Sequence, residues 1–380
     1  MKFFFAIFLI CFVTSSKSQL LVDVGTQVSI NNQTNLYKDA ELVNKGEIVF
    51  ASTATGGLFI DAGLNNLDGT LTLNDAILHL GSNTSRADGN HNLIFGSDDY
   101  VKFVELGKTT GIYTVTGGLL NITNSLTSNS GTLEANNRVV LKSTSIFDTA
   151  LVPESLDGVV NGIRVERFIP AKRAWRLMAS PVTTDEFIFE NWQQNGLEVG
   201  DSGYRTNVGT HITGGTSNNG FDQSGSNNPS IYFFNVQDQQ WNTIANTNAT
   251  KLEISDAYFM LIRGDRSISL TTNDLSEIET TLEQTGSLHI GSKSKTFNTP
   301  FSESFVTIAN PYQAPVNMNA VIGTANPAFK IQIWIWIQTD VNSGQFVNIS
   351  DLDNPTPSIP GSNVETFNPD NLALYKPRVQ

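Results

Sequence analysis

Three aspartates and a histidine in the first third of the chain are of the types that acid–base chemistry needs: Asp88, His91, Asp98 and Asp99. Converging in one groove, such groups could serve as the acid, base or nucleophile of a polysaccharide lyase or glycoside hydrolase. Nothing in their spacing aligns the four side chains across successive strands, so we predict no catalytic residues. A polysaccharide-processing enzyme is the alternative, and convergence of the four would favour it.

Two tryptophans near the C-terminus are candidates for sugar binding. In the run from Ile331 to Gln338, isoleucines alternate with other residues, and this spacing places Trp334 and Trp336 together on the opposite face. Adjacent indoles can form a platform for a sugar ring, which makes a carbohydrate-binding module a second alternative. The competing interpretation is packing beneath a loop or against the N-terminal region, because large apolar surfaces are usually covered.

A basic cluster provides two further ligand-binding candidates, Arg173 and Arg176, which flank Trp175. They could bind an anionic glycan, or they could stack on aromatic rings and pair across a sheet. The tripeptide Arg263-Gly264-Asp265 matches an integrin-binding motif, but so short a match arises easily by chance. We expect it to form a tight turn.

Metal and coenzyme signatures are weak in this sequence. Asp351, Asp353 and Asn354 offer the oxygen ligands that Ca²⁺ takes, but the full calcium-loop pattern is missing. The sequence contains no His-Glu-x-x-His motif, no Gly-x-Ser-x-Gly elbow and no phosphate-binding Gly-rich loop. We predict no metal and no cofactor, with calcium as the alternative.

The first 18 residues have the pattern of a secretory signal peptide: Lys2, an apolar run from Phe3 to Val13, and small residues up to Ser18. The apolar run is shorter than the roughly 20 residues that cross a bilayer, and no other stretch is long enough. We therefore expect cleavage near Ser18, no transmembrane segment in the mature chain, and a secreted or outer-surface location. Cys11, the only cysteine, lies within this segment, so the mature chain lacks thiols.

The net charge of −13 argues against nucleic acid as a partner, because phosphates would be repelled. Charged residues make up only 16% of the chain. This is below the roughly 25% of typical globular proteins and suits short strands joined by polar turns.

Residues 19–155 contain short strand patterns, each opened by a turn residue, at intervals of about 20 residues. This spacing predicts one coil of a solenoid per repeat, and we favour a right-handed β-helix over a compact β-sandwich. The patterns are Gly46 to Phe50, Gly69 to Leu73, Asn92 to Phe95, Gly111 to Val115 and Gly131 to Ala135.

Residues 156–380 have longer, aromatic-rich strand patterns, after a boundary punctuated by Pro153 and by Asn161-Gly162. We predict a β-sandwich with jelly-roll or Ig-like connections, which makes the whole chain all-β. The predicted strands are Gly162 to Ile169, Trp175 to Ala179, Ser230 to Asn235, Ala257 to Gly264, Ser287 to Ile290, Phe305 to Ala309 and Phe329 to Thr339; short helices are expected at Thr184 to Gln193 and Pro315 to Ile322.

Several motifs occur in one order in this second region. Val165 to Pro181 read VERFIPAKRAWRLMASP; Asn191-Trp192-Gln193, Gly209 to Gly214, Gly220-Phe221-Asp222, Arg263 to Arg266 and Ala309 to Val316 (ANPYQAPV) follow. The chain resembles modules of secreted surface proteins of Bacteroidetes, especially flavobacteria. The resemblance implies cargo of type IX secretion. Such cargo usually ends in a sorting domain that the residues up to Gln380 do not resemble, so truncation of the module is one interpretation.

Together these features predict a non-catalytic, secreted or cell-surface protein with a structural or adhesin-like role. Asn- and Thr-rich loops present many hydrogen-bonding groups at low charge, which suits weak, multivalent glycan contacts. The expected partners are extracellular polysaccharide or other surface proteins.

Overall fold

The computed structural model describes residues 19–313 except 82–88, 97–98, 108–110, 130, 146–147, 154–157, 255, 273, 275, 293 and 303, together with the backbone of strands at 333–338 and 344–349. These segments are almost entirely β-structure, and the N-terminal part is a β-solenoid of about six turns. The elements are β1 (Leu20–Val22), β2 (Gln27–Ile30), β3 (Leu36–Lys38), β4 (Leu42–Asn44), β5 (Glu47–Phe50), β6 (Gly57–Ile60), β7 (Leu64–Asn65), β8 (Thr70–Thr72), β9 (Ile77–Leu80), β10 (Asn90–Ile94), β11 (Tyr100–Leu106), β12 (Ile112–Gly117), β13 (Leu120–Ser128), β14 (Thr132–Glu134), β15 (Val139–Leu141), β16 (Val159–Val160), β17 (Ile163–Ile169), β18 (Ala174–Ala179), β19 (Val182–Thr183), α1 (Ile188–Asn191), β20 (Ile231–Asn235), β21 (Gln240–Thr243), β22 (Ala257–Ile262), β23 (Thr280–Leu288), β24 (Ile333–Gln338) and β25 (Gly344–Ile349).

Parallel strand pairing builds the solenoid. One ladder runs β1-β4-β7-β10-β12-β14-β16, a second runs β3-β6-β9-β11-β13-β15-β17, and β2-β5-β8 forms a shorter third side. The predicted repeats coincide with β5, β8, β10, β12 and β14, so the solenoid prediction is confirmed.

Aliphatic columns hold the coils together. In the first ladder Leu20 pairs with Leu42, Leu42 with Leu64, and Leu64 with Leu93. The last three side chains are at most 1% exposed. Full burial of one such side chain contributes roughly 1.5–3 kcal/mol, so a coil gains its stability by stacking on its neighbours.

A ladder of buried amides and one carboxylate climbs one corner of the solenoid. Asn44 Nδ2 donates to Asn66 Oδ1 at 2.6 Å, and Asn66 Nδ2 donates to Asp99 Oδ2 at 2.6 Å. Asn121 Nδ2 continues the series by donating to the Asp99 carbonyl at 3.1 Å. These side chains are at most 6% exposed, so the ladder satisfies polar groups that water does not reach.

One strand, β17, belongs to both parts of the protein. It pairs in parallel with β15 of the solenoid and in antiparallel fashion with β23, which in turn pairs with β19. Ile163 and Val165 lie in the solenoid core, whereas Ile169 lies in a second core. The solenoid sheet therefore continues into the second part without a flexible linker at this point.

Four charged residues line the seam at β17. Glu166 and Glu283 are direct cross-strand neighbours, only 4% and 7% exposed. Lys142 from the solenoid side pairs with Glu166, and Arg205 from the second part pairs with Glu283 through both carboxylate oxygens. Burial raises the pKa of Glu166 against the opposing effect of Lys142. Burial would also raise the pKa of Glu283, but the bonds from Arg205 hold it below its usual value.

A four-stranded antiparallel sheet, β18-β22-β20-β21, dominates the second part. Its inner face packs against α1 and against the far ends of β17 and β23, since their side chains share one core. The predicted helix at Thr184 to Gln193 is reduced to the four residues of α1. The segment from Phe305 to Ala309 is not a strand, so that prediction is wrong.

A separate hairpin, β24–β25, lies C-terminal to these elements, and β24 contacts β18. The predicted helix at Pro315 to Ile322 falls outside the described residues. Within the described part of the chain, no helix is both long and apolar enough to cross a membrane.

Replacing Asn66 by alanine should lower the free energy of unfolding by about 2–4 kcal/mol. The substitution removes one hydrogen bond from the Asn44 amide and one from the Asp99 carboxylate, although each keeps another partner, the Thr70 carbonyl and the Gly96 amide. Losing a hydrogen-bond partner at a buried group costs about 1–3 kcal/mol. Urea denaturation measures the change. Asn92→Ala, at an exposed position of β10, is the control and should change stability by less than about 0.5 kcal/mol. Equal effects of the two substitutions would contradict the ladder's role.

Candidate functional site

A group of ionisable side chains in the second part of the protein is formed by Glu198, His211, Asp222 and Arg266, which we call the charged cluster. Arg266 is almost completely buried, and its guanidinium contacts both oxygens of Asp222, at 3.1 and 2.8 Å. The same group donates to Glu198 Oε1 at 2.6 Å. Two parallel hydrogen bonds of this kind fix the carboxylate in position as well as neutralising it.

Loops position the cluster, and each is held by its own contacts. His211 and Asp222 come from the long polar loop before β20, and Arg266 lies in the loop that follows β22. Gly220, at φ +79°, turns the chain just before Asp222, where a Cβ would meet Thr247 Oγ1 at 2.4 Å. Gln193 Nε2 bridges the Gly220 carbonyl at 2.8 Å and Asp222 Oδ2 at 3.0 Å.

Arg266 outweighs burial in setting the charge state of Asp222. Burial by itself would raise the pKa of this carboxyl group, but the hydrogen bonds and positive charge of the Arg266 guanidinium hold the pKa well below its usual range. His211 Nε2 lies 3.1 Å from the Arg266 carbonyl oxygen. His211 Nδ1 is 3.5 Å from Asp222 Oδ1, which is long for a hydrogen bond, and its geometry does not make one.

A cleft of about 370 Å³ opens beside the charged cluster. All four cluster residues line it, together with residues 267–271 and the neighbouring Val199 and Gln223. The cleft gives a small ligand or ion a route to groups that are otherwise buried.

The Arg263-Gly264-Asp265 tripeptide packs into the protein beside this cluster. Asp265 is 0% exposed, and its carboxylate accepts hydrogen bonds from the Asn207 and Ser267 backbone amides at 2.8 and 2.9 Å. An integrin-type receptor needs an accessible aspartate, so the buried geometry supports the expected role in a turn.

The two arginines predicted as ligand-binding residues lie in different environments. Arg176 is partly buried, and its Nη2 donates to the carbonyl oxygens of Pro170 and Lys172 at 3.3 and 3.0 Å. Burial lowers its pKa to about 10. Arg173 is exposed. Burial of Arg263, together with the nearby positive charge of Arg173, lowers the pKa of Arg263 to about 10. Arg176 thus holds the turn between β17 and β18, whereas Arg173 is accessible to a ligand.

Aromatic side chains cover the outer face of the four-stranded sheet. The Trp175 ring stacks on Phe259 with centroids 4.8 Å apart and lies 5.8 Å from Tyr232. Trp241 lies 5.5 Å from Phe259 and 5.4 Å from Phe234. All five rings are only half-buried, and we call them the aromatic face. The sequence predicts a strand from Trp175 and places arginines beside it, but not the aromatic face, because the pairing of β18, β20, β21 and β22 that assembles the face is long-range.

The outer surface of the solenoid carries a smaller aromatic stack. Tyr37, Phe59 and His79 occupy matching positions in successive coils, with ring centroids 4.3 and 4.0 Å apart. Glu105 continues the row, 3.4 Å from His79 Nδ1. Burial lowers the pKa of His79 despite this carboxylate.

Trp334 and Trp336 lie on β24, where strand pairing sets them opposite Asn348 and Phe346. Their side chains fall outside the described part of the structure, as do Asp351, Asp353 and Asn354. Sugar binding by the two tryptophans and calcium binding by the aspartates therefore stay predictions.

The described members of the aspartate–histidine group have separate structural contacts. Asp99 Oδ2 accepts hydrogen bonds from Asn66 and from the Gly96 amide, at 2.6 and 2.7 Å. His91 lies on β10, with its ring 5.2 Å from that of Tyr113. Asp88 and Asp98 are outside the described residues. The contacts of Asp99 assign this carboxylate to the ladder.

Comparison of the chain with protein-family models, curated proteins and solved structures finds no match. Function is therefore inferred from the charged cluster, the cleft and the aromatic face.

Replacing Asp222 by asparagine should cost about 3–5 kcal/mol of unfolding free energy at neutral pH, because it leaves a buried guanidinium without its full counter-charge. A carboxyl group whose folded-state pKa is lowered stabilises the protein above its unfolded pKa of about 3.9, and this contribution is lost on acidification. The difference between wild type and variant should therefore shrink below about pH 4. Denaturation at a series of pH values tests this, with the fully exposed Asp185→Asn as control. A difference that stays constant with pH would contradict the assignment.

Proposed function

We propose that this chain is an exported, non-catalytic protein of structural or adhesin-like function, in which the solenoid is a spacer and the second part contacts an extracellular polysaccharide. The observation that carries the proposal is the aromatic face. The solenoid coils are right-handed in this proposal, and the second part with the β24–β25 hairpin forms a jelly-roll or Ig-like sandwich. Export through a signal peptide at residues 1–18, and relationship to type IX secretion cargo of Bacteroidetes, belong to the same proposal.

The solenoid supports the spacer role through its construction. Its coils share one aliphatic core, and its second ladder passes directly into β17 and β23. A stack of this kind resists bending because each coil is hydrogen-bonded to the next along its strands. A module at its end is thus displayed at a fixed distance and orientation.

The aromatic face supports the contact role. A contiguous apolar surface that is partly exposed often marks an interaction site. Here the five half-buried rings share one side of the sheet with Leu177, which is 42% exposed. Rigid aromatic rings provide large contact areas at low entropic cost, and tryptophan and tyrosine add a polar edge. A sugar ring has apolar C–H faces and polar rims, which match these two properties.

The charge of the protein favours a neutral or weakly acidic glycan over nucleic acid as the partner. The net charge of −13 disfavours nucleic acid. Exposed Arg173, which directly precedes β18 and its Trp175, supplies a cation that can pair with an occasional carboxylate of a glycan. Of the four residues on which the polysaccharide-processing alternative depends, Asp99 is engaged in the ladder. Asp88 and Asp98 lie outside the described residues, so that alternative stays a prediction.

Replacing Trp241 by alanine should weaken polysaccharide binding at least tenfold, because truncating an aromatic anchor at the centre of an interface costs about 2 kcal/mol or more. A glycan array with the mature chain identifies the ligand, and calorimetry measures the change in affinity. Tyr100→Ala is the matched control, since Tyr100 is an aromatic residue 50% exposed on the solenoid.

Trp334→Ala separates the two candidate surfaces. Loss of binding with Trp241→Ala but not with Trp334→Ala would assign the ligand to the aromatic face. The reverse pattern, or no glycan binding by a folded wild-type chain, would contradict this site. Thermal melting of each variant shows whether a loss of binding reflects unfolding.

A further inference from the structure

We propose that Glu198, His211 and Asp222 form a binding site for a divalent transition-metal ion of the zinc class, with Arg266 as a positioning residue. The site is independent of polysaccharide binding, because it lies at the cleft and not on the aromatic face. One ring nitrogen of His211 and one oxygen from each carboxylate lie within 4.8 Å of one another. Three such donors with an open side are the usual protein contribution to an accessible zinc site.

The orientation of the His211 ring supports metal binding independently of the clustering of the donor atoms. Its Nε2 faces the Arg266 carbonyl oxygen at 3.1 Å, and a carbonyl can only accept, so Nε2 carries the hydrogen. A neutral imidazole then has its lone pair on Nδ1, which makes no hydrogen bond although the side chain is 4% exposed. Metal-binding histidines are commonly held in this way, with the other ring N–H on a backbone carbonyl.

The atom opposite His211 Nδ1 indicates that a cation belongs between the two side chains. Asp222 Oδ1 lies 3.5 Å away, so two lone-pair-bearing atoms confront each other inside the protein. Either a second proton on the imidazole or a metal ion between the two atoms removes the repulsion. The cleft next to the cluster gives a metal ion access and room for water ligands, which a buried ion pair does not need.

Arg266 is compatible with a metal ion at this position. Each carboxylate oxygen has two lone pairs, so an oxygen that accepts from the guanidinium can still bind a metal. Hydrogen bonds from outside the metal's own ligands fix the orientation of coordinating carboxylates. The Glu198 side chain is 52% exposed, so its carboxylate can adjust to the metal at little cost.

The donor set selects the class of metal. Imidazole is a good ligand for zinc, copper, nickel and iron, whereas calcium and magnesium take oxygen ligands. Zn²⁺ is therefore the appropriate probe, and Ca²⁺ is the comparison.

Calorimetric titration of the mature, metal-free chain with Zn²⁺ tests the proposal, with Glu198→Gln as the main variant. Glutamine keeps an acceptor oxygen for Arg266 at this half-exposed position, and thermal melting shows that the variant is folded. We expect about one zinc ion per chain, an affinity at least tenfold weaker in Glu198→Gln, and much weaker binding of Ca²⁺. Glu253→Gln, an exposed glutamate elsewhere, is the control and should bind zinc as the wild type does. Absence of zinc binding, or equal affinities for the two variants, would overturn the proposal.

Nitrogen-15 NMR of the imidazoles provides a readout that does not depend on a variant. Zinc should shift the His211 Nδ1 resonance while Nε2 keeps its proton. If both His211 nitrogens are protonated at neutral pH and equimolar zinc leaves them unchanged, the group is an ion pair with Asp222 and the metal site is refuted.

Discussion

The end of a parallel β-solenoid leaves a row of backbone amides and carbonyls without partners, and the architecture of this protein follows from how that end is closed. Strand β17 is the last rung of one ladder, and β23 pairs with its free edge in antiparallel orientation. An unpaired edge would invite association with other chains. Because β23 is also part of the second core, closing the solenoid and folding the second part are one event at this strand.

Closing the solenoid end with β23 also buries charged side chains at the seam. The pairing of β17 with β23 sets two glutamates side by side in a nearly dry environment, which is costly unless each carboxylate has its own cation. Lys142 supplies one from the solenoid and Arg205 supplies the other from the second part, so each body neutralises one side of the seam. The charged cluster repeats this solution in the second part, where the buried Arg266 guanidinium pairs with Asp222 and Glu198.

Local patterns predict the repeated part of the fold well and the joint poorly. Turn residues followed by alternating apolar residues predicted β5 and β12 because a solenoid strand is defined by short-range sequence. Only the end of β23, from Ser287, was expected, because Glu283 and Gln284 are buried polar residues and break the apolar alternation. The burial of the charged Glu283 depends on its pairing with Arg205, 78 positions away, and no local pattern records that contact.

The candidate sites show the same division. The motifs around Gln193, His211, Asp222 and Arg266 carry the family resemblance in the sequence, without indicating that they meet. The structure brings them together through loops, which have no periodic sequence pattern. The aromatic face required the order of four strands that are not adjacent in the sequence. Charged residues beside glycines in successive loops, such as Asp222 after Gly220 and Arg266 after Gly264, are the sequence signal for the cluster. The distances that make it a candidate metal site have no such signal.

Amide hydrogen exchange of the whole chain under increasing denaturant tests the shared strand most directly. If β17 joins the two parts, peptides covering 163–169 and 280–288 should open together, with the same free energy as the neighbouring solenoid coil at β15 and with β22. Protection of 163–169 together with the solenoid, while 280–288 exchanges at a much lower free energy, would show that the second part is only loosely attached and would contradict the account.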